Sequence, residues 1–389
     1  MMAKPSLVMG AWVALLCCGS AGVAAGQDVS FRDLLSSATA ALAAGDTTGY
    51  LEQMKRGEEL LYQGHVNRPF AQYHLARGYA MVGDSVASVA ALRRMLDEDV
   101  EALMIVYTAF DPAFVSVRRM AGFQALLDDA RATEIRATHL RGALWLLEGS
   151  GSQVVASIGP DGVLLVDTGY SLASSGIQRA LDDRGADDIE YIINTHFHED
   201  HVGGNANLGY RSTIIAHPDT RAALQQDQDF IDGVVVPARG GAALPHLVSD
   251  QPIELFFNGD TVYVIPLKGH TTGDLVVYFS RSRVLHMGDR FFPATMDFVL
   301  PSADIDRFLK TMDALMALVP DDGLVVSGHA PVVPIAQLRQ AYQSTAQMIE
   351  FVRAGREAGK GVGQLAAEAE ERGYPARWVG AILEAIGGE

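Results

Sequence analysis

The stretch Thr195-His196-Phe197-His198-Glu199-Asp200-His201-Val202-Gly203-Gly204-Asn205 places three imidazoles and an aspartate within six residues. It directly follows the short apolar run Tyr191-Ile192-Ile193, which is typical of a buried strand. The polar cluster therefore begins where a strand ends, on a loop that turns toward a helix. Because His196 and His198 are two residues apart, their side chains project from the same side of an extended segment. The Asp200-His201 pair follows where the chain turns, so it can point to a neighbouring position.

These residue types predict a metal site. Neutral imidazole and carboxylate are the ligands that borderline divalent metals prefer, zinc above all. Two offset pairs of ligands suit two metal ions better than one. The alternative is a polar surface cluster without metal, which would place several polar groups beside an apolar strand without a compensating interaction. Such a dense spacing is rarely matched by chance, so the metal site is the better interpretation.

Composition describes an ordinary globular chain with ample core. The 389 residues are 49% hydrophobic and 20% charged, and their number suggests two or three domains or one large domain with additions. The net charge is −17, and the acidic residues are spread along the chain. Such a surface repels phosphate backbones and anionic lipid, so we expect no nucleic acid partner. The partner we expect is a small-molecule substrate.

The N-terminal residues 1–26 resemble a bacterial signal peptide. Lys4 supplies the positive start, Leu7 to Cys18 is an apolar core, and Gly19 to Ala25 contains small residues suited to cleavage. We therefore expect a periplasmic or secreted protein. The alternative is an uncleaved anchor, in which case this segment would be the chain's only contact with the membrane.

Both cysteines, Cys17 and Cys18, lie inside this segment. A mature protein without it has no thiol, and therefore no disulfide, cysteine ligand or cysteine nucleophile. Attachment as a lipoprotein through either cysteine is a minor alternative, because the residues before them fit poorly.

Residues 28–136 have helical spacing throughout. An apolar-periodic stretch runs from Phe31 to Ala44 and stops at Gly45-Asp46. Leu75, Ala76, Tyr79, Gly83 and Leu92 fall near the spacing of tetratricopeptide repeats, although only one unit matches. The segment predicts a small all-α, TPR-like domain. A protein partner bound through residues 31–135 and a purely structural extension both remain open.

From His139 the pattern changes to short strands separated by turn signals, with helices between some of them, notably Ile305 to Leu318. Mixed in this way, strands and helices predict an α/β (α+β) fold with two sheets packed face to face and helices outside. Residues 139–335 would form this domain, and residues 336–389 a C-terminal helical extension.

Three further candidate ligands each stand at the end of a predicted strand. They are His270, Asp289 and His329, in the segments Gly269-His270-Thr271, Gly288-Asp289 and Gly328-His329. The flanking glycines let the backbone turn sharply and approach a metal closely. Together with the first cluster they make seven ligands, enough for two zinc ions with room for water.

With these motifs in order, residues 139–335 resemble the metallo-β-lactamase-fold hydrolase superfamily. The matching motifs are Val166-Asp167-Thr168-Gly169, His196-x-His198-x-Asp200-His201, Gly269-His270-Thr271, Gly288-Asp289 and Gly328-His329. The resemblance implies an αββα sandwich with the site on loops at one edge. It implies a first zinc on His196, His198 and His270, and a second on Asp200, His201 and His329. Asp289 would bridge the two ions.

Departures from the family pattern narrow the choice of subgroup. Enzymes of this superfamily that open β-lactams usually carry Cys or Ser where this chain has Asp289, whereas glyoxalase II-like thioesterases and lactonases carry Asp. Some lactonases have a Tyr at the position of Phe292, which weakens that assignment. The intact second ligand set also argues against the iron dioxygenases of the superfamily.

The resemblance implies a centre that activates water for attack on the carbonyl of an ester, thioester, lactone or lactam. Asp200 is the candidate catalytic residue, because its carboxylate can orient the nucleophile and shuttle a proton to the leaving group. We expect Asp167 and Asp274 to lie behind the ligands and to fix imidazole orientation. The alternative for both is an ordinary turn or capping aspartate.

Residues 225–250 lack clear periodicity and predict a loop that covers the site. We expect Phe230 from this loop and Phe292 to bind substrate, with Phe291 and Met296 beside them. Three other histidines are assigned no ligand role: His286 is expected in the core or behind the ligands, and His217 and His246 in solvent. The alternative to an enzyme is a metal-stabilised scaffold that acts through its helical repeats.

Overall fold

The computed structural model describes residues 30–61, 68–98, 103–186, 188–231, 234–301 and 304–387. The predicted signal peptide, residues 1–26, lies outside the described residues. Among the helices that are described, none combines the length and the apolar character needed to cross a bilayer.

The N-terminal region is helical, as predicted. Its helices are α1 (Phe31–Ala43), α2 (Thr47–Leu60), α3 (Arg68–Met81), α4 (Ser85–Glu98) and α5 (Ala121–Arg131). Short 3-10 turns at Leu103–Ala109, Pro112–Phe114 and Val117–Arg119 connect α4 to α5. The first helix begins with a capping box, in which the Ser30 and Asp33 side chains each accept the other's backbone N–H. The similarity to tetratricopeptide repeats stays a prediction.

The first sheet has seven strands. They are β1 (Arg136–Arg141), β2 (Leu144–Glu148), β3 (Val154–Gly159), β4 (Gly162–Val166), β5 (Ile189–Ile193), β6 (Thr213–Ala216) and β9 (Leu247–Val248), side by side in that order. The strands β1 to β4 form an antiparallel meander, and β4, β5, β6 and β9 are parallel. In the parallel half, the carboxyl ends of the strands lie at one edge of the sheet, where ligand sites of such sheets form.

The second sheet has six strands. They are β10 (Ile253–Phe257), β11 (Asp260–Pro266), β12 (Leu275–Phe279), β13 (Val284–His286), β16 (Leu324–Ser327) and β17 (Ala330–Pro334). All neighbours are antiparallel except β13 and β16. Two small hairpins lie outside the sheets, β7 (Gln228–Ile231) with β8 (Val234–Val236) and β14 (Phe291–Phe292) with β15 (Asp297–Phe298).

The remaining helices connect and cover the sheets. They are α6 (Ser174–Asp182), α7 (Glu199–Val202), α8 (Asn205–Leu208), α9 (Pro218–Leu224), α10 (Ile305–Leu318), α11 (Ile335–Glu357), α12 (Val362–Glu371) and α13 (Trp378–Ala385). Helices α10 to α13 pack in one hydrophobic cluster with the outer face of the second sheet. The C-terminal helical segment therefore forms the outer layer on that side.

Side chains alternate between the two sides of each strand, and this alternation places them in different layers of the fold. Val155 and Leu164 point into the cluster between the two sheets, whereas their neighbours Ala156 and Leu165 belong to the cluster outside the first sheet. Because successive strand residues face opposite sides, one apolar strand can serve two layers. The result is the predicted αββα sandwich, which the structure confirms.

The N-terminal helices are part of this sandwich rather than a separate attachment. Residues of α5 such as Phe123 and Leu126 share one continuous hydrophobic cluster with Leu147 and Val163 of the first sheet. A shared core means that neither side can be exposed without losing buried apolar area. The helical region therefore has a fixed position relative to the loops at the sheet edge.

Residues 225–250 were predicted to be an irregular loop, and that prediction was wrong in part. The structure forms the β7–β8 hairpin there, with Gln228 opposite Val236, followed by a 3-10 turn at Gly241–Ala243 and by β9. Each of these strands is four residues or shorter, too short for alternation to be recognised in the sequence.

Candidate metal centre

All seven predicted metal ligands meet at one edge of the sandwich. His196 follows β5, and His198, Asp200 and His201 lie in or next to the short helix α7. The other three come from the second sheet: His270 follows β11, Asp289 lies in the 3-10 turn after β13, and His329 lies in the turn between β16 and β17. Side chains that are up to 133 residues apart in sequence are therefore neighbours in space.

One group contains the three imidazoles of His196, His198 and His270 with the carboxylate of Asp289. The His198 Nδ1 atom lies 3.1 Å from His196 Nε2 and 3.0 Å from His270 Nε2. The Asp289 Oδ2 atom lies 3.5 Å from His270 Nε2. Ring nitrogens that approach one another this closely point their lone pairs to one spot, as ligands of a single cation do.

A second group contains Asp200, His201, His329 and again Asp289. The Asp200 Oδ2 atom lies 3.0 Å from His329 Nε2 and 3.3 Å from His201 Nε2. The Asp289 Oδ1 atom lies 3.3 Å from His201 Nε2, and its Oδ2 atom lies 3.2 Å from His329 Nε2. Asp289 is therefore common to both groups, in the position that a bridging ligand would take.

Gly328 makes this arrangement possible. A Cβ atom at this position would overlap the Asp289 Oδ1 atom and would lie 3.0 Å from His201 Cε1. Any side chain there would push the shared carboxylate away from the second group. The glycine before His329 is thus required by close approach.

The residues present fit a metal ion. The buried atoms Asp200 Oδ1, Asp289 Oδ1 and His201 Nε2 have no hydrogen-bond partner among the described residues. Buried polar atoms in folded proteins are nearly always satisfied, and a cation in the second group would satisfy Asp289 Oδ1 and His201 Nε2 together. The donor set of imidazole nitrogen and carboxylate oxygen, without sulfur, is one that zinc accepts.

The imidazoles of the first group are neutral near pH 7. Burial lowers the pKa of His198 to about 4 and that of His270 to about 3, and it holds the pKa of His196 well below its usual value. Neighbouring imidazoles lower the pKa of His196 and His270 further. Since only a deprotonated ring can bind a metal, this group needs no proton loss before binding.

In the second group the pKa values of the imidazoles are raised rather than lowered. Burial opposes protonation of His329, but the carboxylates of Asp289 and Asp200 outweigh it and raise the pKa of this ring to about 10. The same two carboxylates outweigh burial at His201 and raise the pKa of its ring well above its usual value. Near pH 7 both rings carry protons before metal binds, so a metal ion must displace them.

We therefore expect zinc to bind the two groups differently. The first equivalent should bind with little proton release, and its affinity should be independent of pH above about 5, given pKa values of about 4 and about 3. The second equivalent should release protons, and its affinity should rise with pH up to about 10. Calorimetric zinc titrations in two buffers of different ionisation enthalpy measure this difference. Equal proton release by both equivalents would contradict the assignment.

Asp167 lies directly behind the ligands. Its Oδ2 atom accepts hydrogen bonds at 2.7 Å from both the His201 ring Nδ1 and the Thr195 hydroxyl, and its Oδ1 atom accepts from Thr195 N at 2.7 Å. The residue is fully buried and has φ 64°, a backbone conformation that few non-glycine residues adopt. This contact orients the His201 ring with Nε2 toward the two carboxylates.

In an Asp167→Asn variant we expect zinc affinity at the second group to fall by about 10- to 100-fold, because the amide holds the His201 ring less well. The matched control is Asp260→Asn. Asp260 is also buried and accepts backbone N–H groups, from Arg281 at 2.7 Å and Ser282 at 2.9 Å, but it contacts no ligand. Zinc titration of both variants measures the loss of metal affinity, and thermal unfolding of both measures the loss of stability from replacing a buried aspartate. Equal loss of zinc affinity in both would contradict the role of Asp167.

Asp274 has a different place from the one predicted. Its carboxylate accepts from the Thr271 N–H at 2.9 Å and from the Thr271 hydroxyl at 2.6 Å, and no hydrogen bond joins it to an imidazole ring. Burial raises its pKa to about 6, although Arg290 and these hydrogen bonds oppose the rise. Asp274 therefore braces the turn that carries His270, which is the capping alternative, and acts on the ring only through the backbone.

The other histidines divide between core and solvent. His286 is buried, and its ring lies 2.9 Å from the Gln153 carbonyl, which ties the second sheet to the first. His246 is exposed, as expected. His217 was expected in solvent, but it is buried, and its Nδ1 atom accepts from Asp219 N at the start of α9. Pro218 at the first helical position was the sequence signal for this cap.

The predicted substrate-contacting residues are only partly brought to the site. Phe230 lines a pocket together with the ligand His198. Phe292 is half-buried in the small β14–β15 hairpin, and Phe291 is fully buried in the core with Met296 packed against the same cluster. Phe291 is not available to a substrate in the way predicted, because it is fully buried. Met296 is half-buried and lines a different small pocket, together with Phe298 and Trp378.

Sequence reasoning missed two other residues of this pocket, Tyr107 and Arg239. Tyr107 comes from the helical region, and its ring stacks on Phe230 with centroids 3.6 Å apart. Arg239 forms a buried ion pair with Glu199, which lies between the ligands His198 and Asp200. No local pattern identifies a contact between residues 123 positions apart, so Tyr107 carried no usable signal.

Comparison with known proteins agrees with this geometry. A family model described as the metallo-beta-lactamase superfamily matches residues 148–329. The 2,4-dinitroanisole O-demethylase subunit alpha of Nocardioides sp. (strain JS1661) is 28% identical over 195 residues, which cover 49% of this chain and 56% of that protein. A hydroxyacylglutathione hydrolase of Synechococcus sp. (strain JA-2-3B'a(2-13)) is 36% identical over 102 residues, 26% of this chain and 34% of that protein.

The acyl-coenzyme A thioesterase MBLAC2 of Gallus gallus is 26% identical over 208 residues, covering 49% of this chain and 72% of that protein. This chain thus spans little more than half the length of the Nocardioides protein, the first of these relatives. Among solved structures, a metallo-beta-lactamase from Pontibacter korlensis is 16% identical with a TM-score of 0.42, covering 54% of this chain and 98% of that one. The sec-alkylsulfatase Pisa1 from Pseudomonas sp. is 14% identical with a TM-score of 0.47, covering 60% of this chain and 45% of that one.

Proposed function

Since residues 148–329 form a domain of the metallo-β-lactamase superfamily, we propose that this chain is an exported, zinc-dependent hydrolase of an ester, thioester, lactone or lactam carbonyl. The observation that carries the proposal is the Asp289 carboxylate, which lies between two groups of ligands and belongs to both. A purely structural zinc site is closed by its four ligands and has no need of a second, adjoining site.

Two zinc ions bound here would supply hydroxide at neutral pH and would polarise the substrate carbonyl. His196, His198 and His270 would hold the first ion, Asp200, His201 and His329 the second, and Asp289 both. This assignment keeps every ligand that the sequence indicates.

The chain's own catalytic group in this proposal is Asp200. Its Oδ1 atom is buried and free of hydrogen bonds among the described residues, while Oδ2 faces His201 and His329. Ser152 fixes the residue by donating its hydroxyl to the Asp200 carbonyl at 2.7 Å. Oδ1 can therefore hold the proton of the attacking water and pass it to the leaving atom.

Within this range of carbonyl compounds, thioesters are the first substrates to test. Asp289 stands where β-lactam-opening members of the superfamily usually carry Cys or Ser. Two of the relatives, the hydroxyacylglutathione hydrolase and the acyl-coenzyme A thioesterase, are named for thioester hydrolysis. We propose a small-molecule thioester as the substrate, acted on in the periplasm or outside the cell.

The test is turnover by the purified, zinc-loaded chain of four substrate types: an ester, a thioester, a lactone and the chromogenic β-lactam nitrocefin. We expect hydrolysis of the thioester above the rate without protein, and loss of that hydrolysis after zinc removal. A chain that binds two zinc ions but hydrolyses none of the four would instead support the scaffold alternative, in which residues 31–135 bind a protein partner.

A further inference from the structure

We propose that Arg290 is a positioning residue of the metal centre, whose guanidinium holds two ligand-bearing turns in place. One turn carries Asp289, the carboxylate that both ligand groups share, and the other carries His270 of the first group. As a role toward zinc, this inference rests on the metal centre of the proposed function. As a brace between the two turns in the metal-free chain, it depends neither on zinc nor on hydrolysis.

Arg290 is a charged residue whose side chain is fully buried. Burial lowers the pKa of its guanidinium to about 10, against the opposing effect of Asp274, so the group still carries its charge near pH 7. Two of its nitrogens, Nε and Nη2, have no hydrogen-bond partner among the described residues. A buried charge with so few partners lowers the stability of a protein relative to an apolar side chain of similar size. Stability of the fold therefore gives no reason for a guanidinium here, and its contacts indicate another role.

Hydrogen bonds join Arg290 to the turn of Asp289. Arg290 directly follows this ligand, and its N–H donates to the Met287 carbonyl at 3.2 Å. Its own carbonyl accepts from Val299 N at 3.2 Å, and its guanidinium Nη1 donates to the Val299 carbonyl. Val299 directly follows β15, so Arg290 extends the β14–β15 hairpin by one more pair of residues. The turn of Asp289 is therefore anchored to this hairpin.

The guanidinium lies against the turn that carries His270. Gly269 directly precedes this ligand, and a Cβ atom there would overlap the Nη1 and Cζ atoms of Arg290. Only a glycine lets the flat guanidinium approach the backbone this closely. On the same turn, Asp274 Oδ2 lies 3.9 Å from Arg290 Nε, close enough for attraction between the two charges. Arg290 thus contacts this turn at two points, one on each side of His270.

An aromatic ring fixes the guanidinium from a third side. The Cζ atom of Arg290 lies 5.5 Å from the ring centroid of Phe308, which is buried in α10. Arginine favours the face of an aromatic ring, and the planar shape of its guanidinium limits how it can be placed there. Held by backbone on two sides and by this ring, the guanidinium has one position in the core. A displacement of Arg290 would therefore move His270 relative to Asp289, whose atoms Nε2 and Oδ2 lie 3.5 Å apart.

The first test is a zinc titration of metal-depleted Arg290→Met beside the parent chain. Methionine has no charge and no hydrogen-bond donor. Removal of a positive charge near the ligands would by itself favour a bound cation. A weaker zinc affinity therefore reports lost positioning and not lost charge. We expect the dissociation constant of the first zinc equivalent to rise by about 10-fold, within the range typical of residues that orient metal ligands.

Circular dichroism and a melting curve show whether Arg290→Met folds. If it does not, Arg290→Lys takes its place in the titration. Lysine keeps the charge, but its ammonium group lacks the planar shape that lies against Gly269. We expect Arg290→Lys to weaken binding of the first zinc equivalent by about 10-fold as well.

The matched control is Arg184→Met. The guanidinium of Arg184 also donates to a backbone carbonyl, that of Ala180 at 2.6 Å, and lies over an aromatic ring, that of Trp145 at 4.4 Å. Arg184 belongs to neither ligand group, so its variant should bind zinc as the parent chain does. Equal weakening by the Arg290 and Arg184 variants would overturn the proposal, and so would an unchanged or tighter zinc affinity in the Arg290 variant.

Hydrogen–deuterium exchange of the metal-free chain gives a second measurement, which does not require zinc. Residues 267–275 contain the turn of His270. We expect their backbone amides to exchange about 10-fold faster in the Arg290 variant, because the turn opens more readily without its brace, and at the parent rate in Arg184→Met. If the parent chain binds no zinc, the proposed function fails and the exchange rate still decides whether Arg290 braces the turn. Unchanged exchange of residues 267–275 in the Arg290 variant would overturn the proposal, whether or not zinc binds.

Discussion

Replacing His198 with alanine is expected to lower hydrolysis by more than about 100-fold. His198 Nδ1 is the atom on which the first group converges, since both His196 Nε2 and His270 Nε2 lie within 3.1 Å of it. Loss of residues that only support a ligand already costs about 10- to 100-fold, so loss of the ligand itself should cost more. Turnover of the best thioester and zinc content per chain are the measurements.

The fold should survive this change, because His198 is half-buried and lies at the edge of the pocket. His246→Ala is the matched control. His246 is an exposed histidine of the same domain that belongs to neither ligand group, and its replacement should leave turnover and zinc content unchanged. Turnover that persists in His198→Ala would contradict the site assignment.

Replacing Asp289 with alanine should have the largest effect of any single change, because this carboxylate belongs to both groups. Its oxygens lie within 3.8 Å of four imidazoles, those of His196, His201, His270 and His329. Without it each group loses a ligand. The four imidazoles then have only one carboxylate near them, that of Asp200. We expect less than one zinc per chain and turnover below that of His198→Ala.

Asp260→Ala controls for the loss of a buried aspartate. Asp260 accepts backbone N–H groups from Arg281 and Ser282, so its loss should reduce stability but not zinc content. Equilibrium dialysis against zinc, followed by metal analysis, compares the two variants. Two zinc ions per chain in Asp289→Ala would contradict the bridging role.

The ligands could be predicted from sequence because their signal is local. His196, His198, Asp200 and His201 fall within six residues after an apolar strand, and each of the others follows a strand beside a glycine. In an α/β sandwich, strand ends collect at one edge, so local placement in sequence becomes proximity in space. The short strands and turn signals from His139 onward, mixed with helices, likewise indicated the two-sheet core.

The pocket could not be predicted in the same way, because its walls come from distant parts of the chain. Tyr107 lies in a 3-10 turn of the helical region, and its contact with Phe230 depends on how that region packs on the first sheet. The β7–β8 hairpin did have a local signal, since Asp232-Gly233 is a two-residue turn sequence between β-branched residues. The prediction of a loop did not use this signal.

Two aspartates, Asp167 and Asp274, show another limit of prediction from the sequence. From the sequence, Asp167 and Asp274 were both predicted to lie behind the ligands and to fix imidazole orientation, with a turn or capping aspartate as the alternative. In the structure Asp167 accepts from the His201 ring, and Asp274 accepts from Thr271. The difference depends on side-chain direction at the turn, which residue type and spacing do not specify.

The most direct test of a two-ion hydrolytic centre is a zinc titration of the metal-depleted chain, with bound zinc and thioester turnover measured on the same samples. We expect no turnover without metal, and a rise to a plateau that is reached at two zinc ions per chain. Full turnover by the metal-depleted chain would contradict the account.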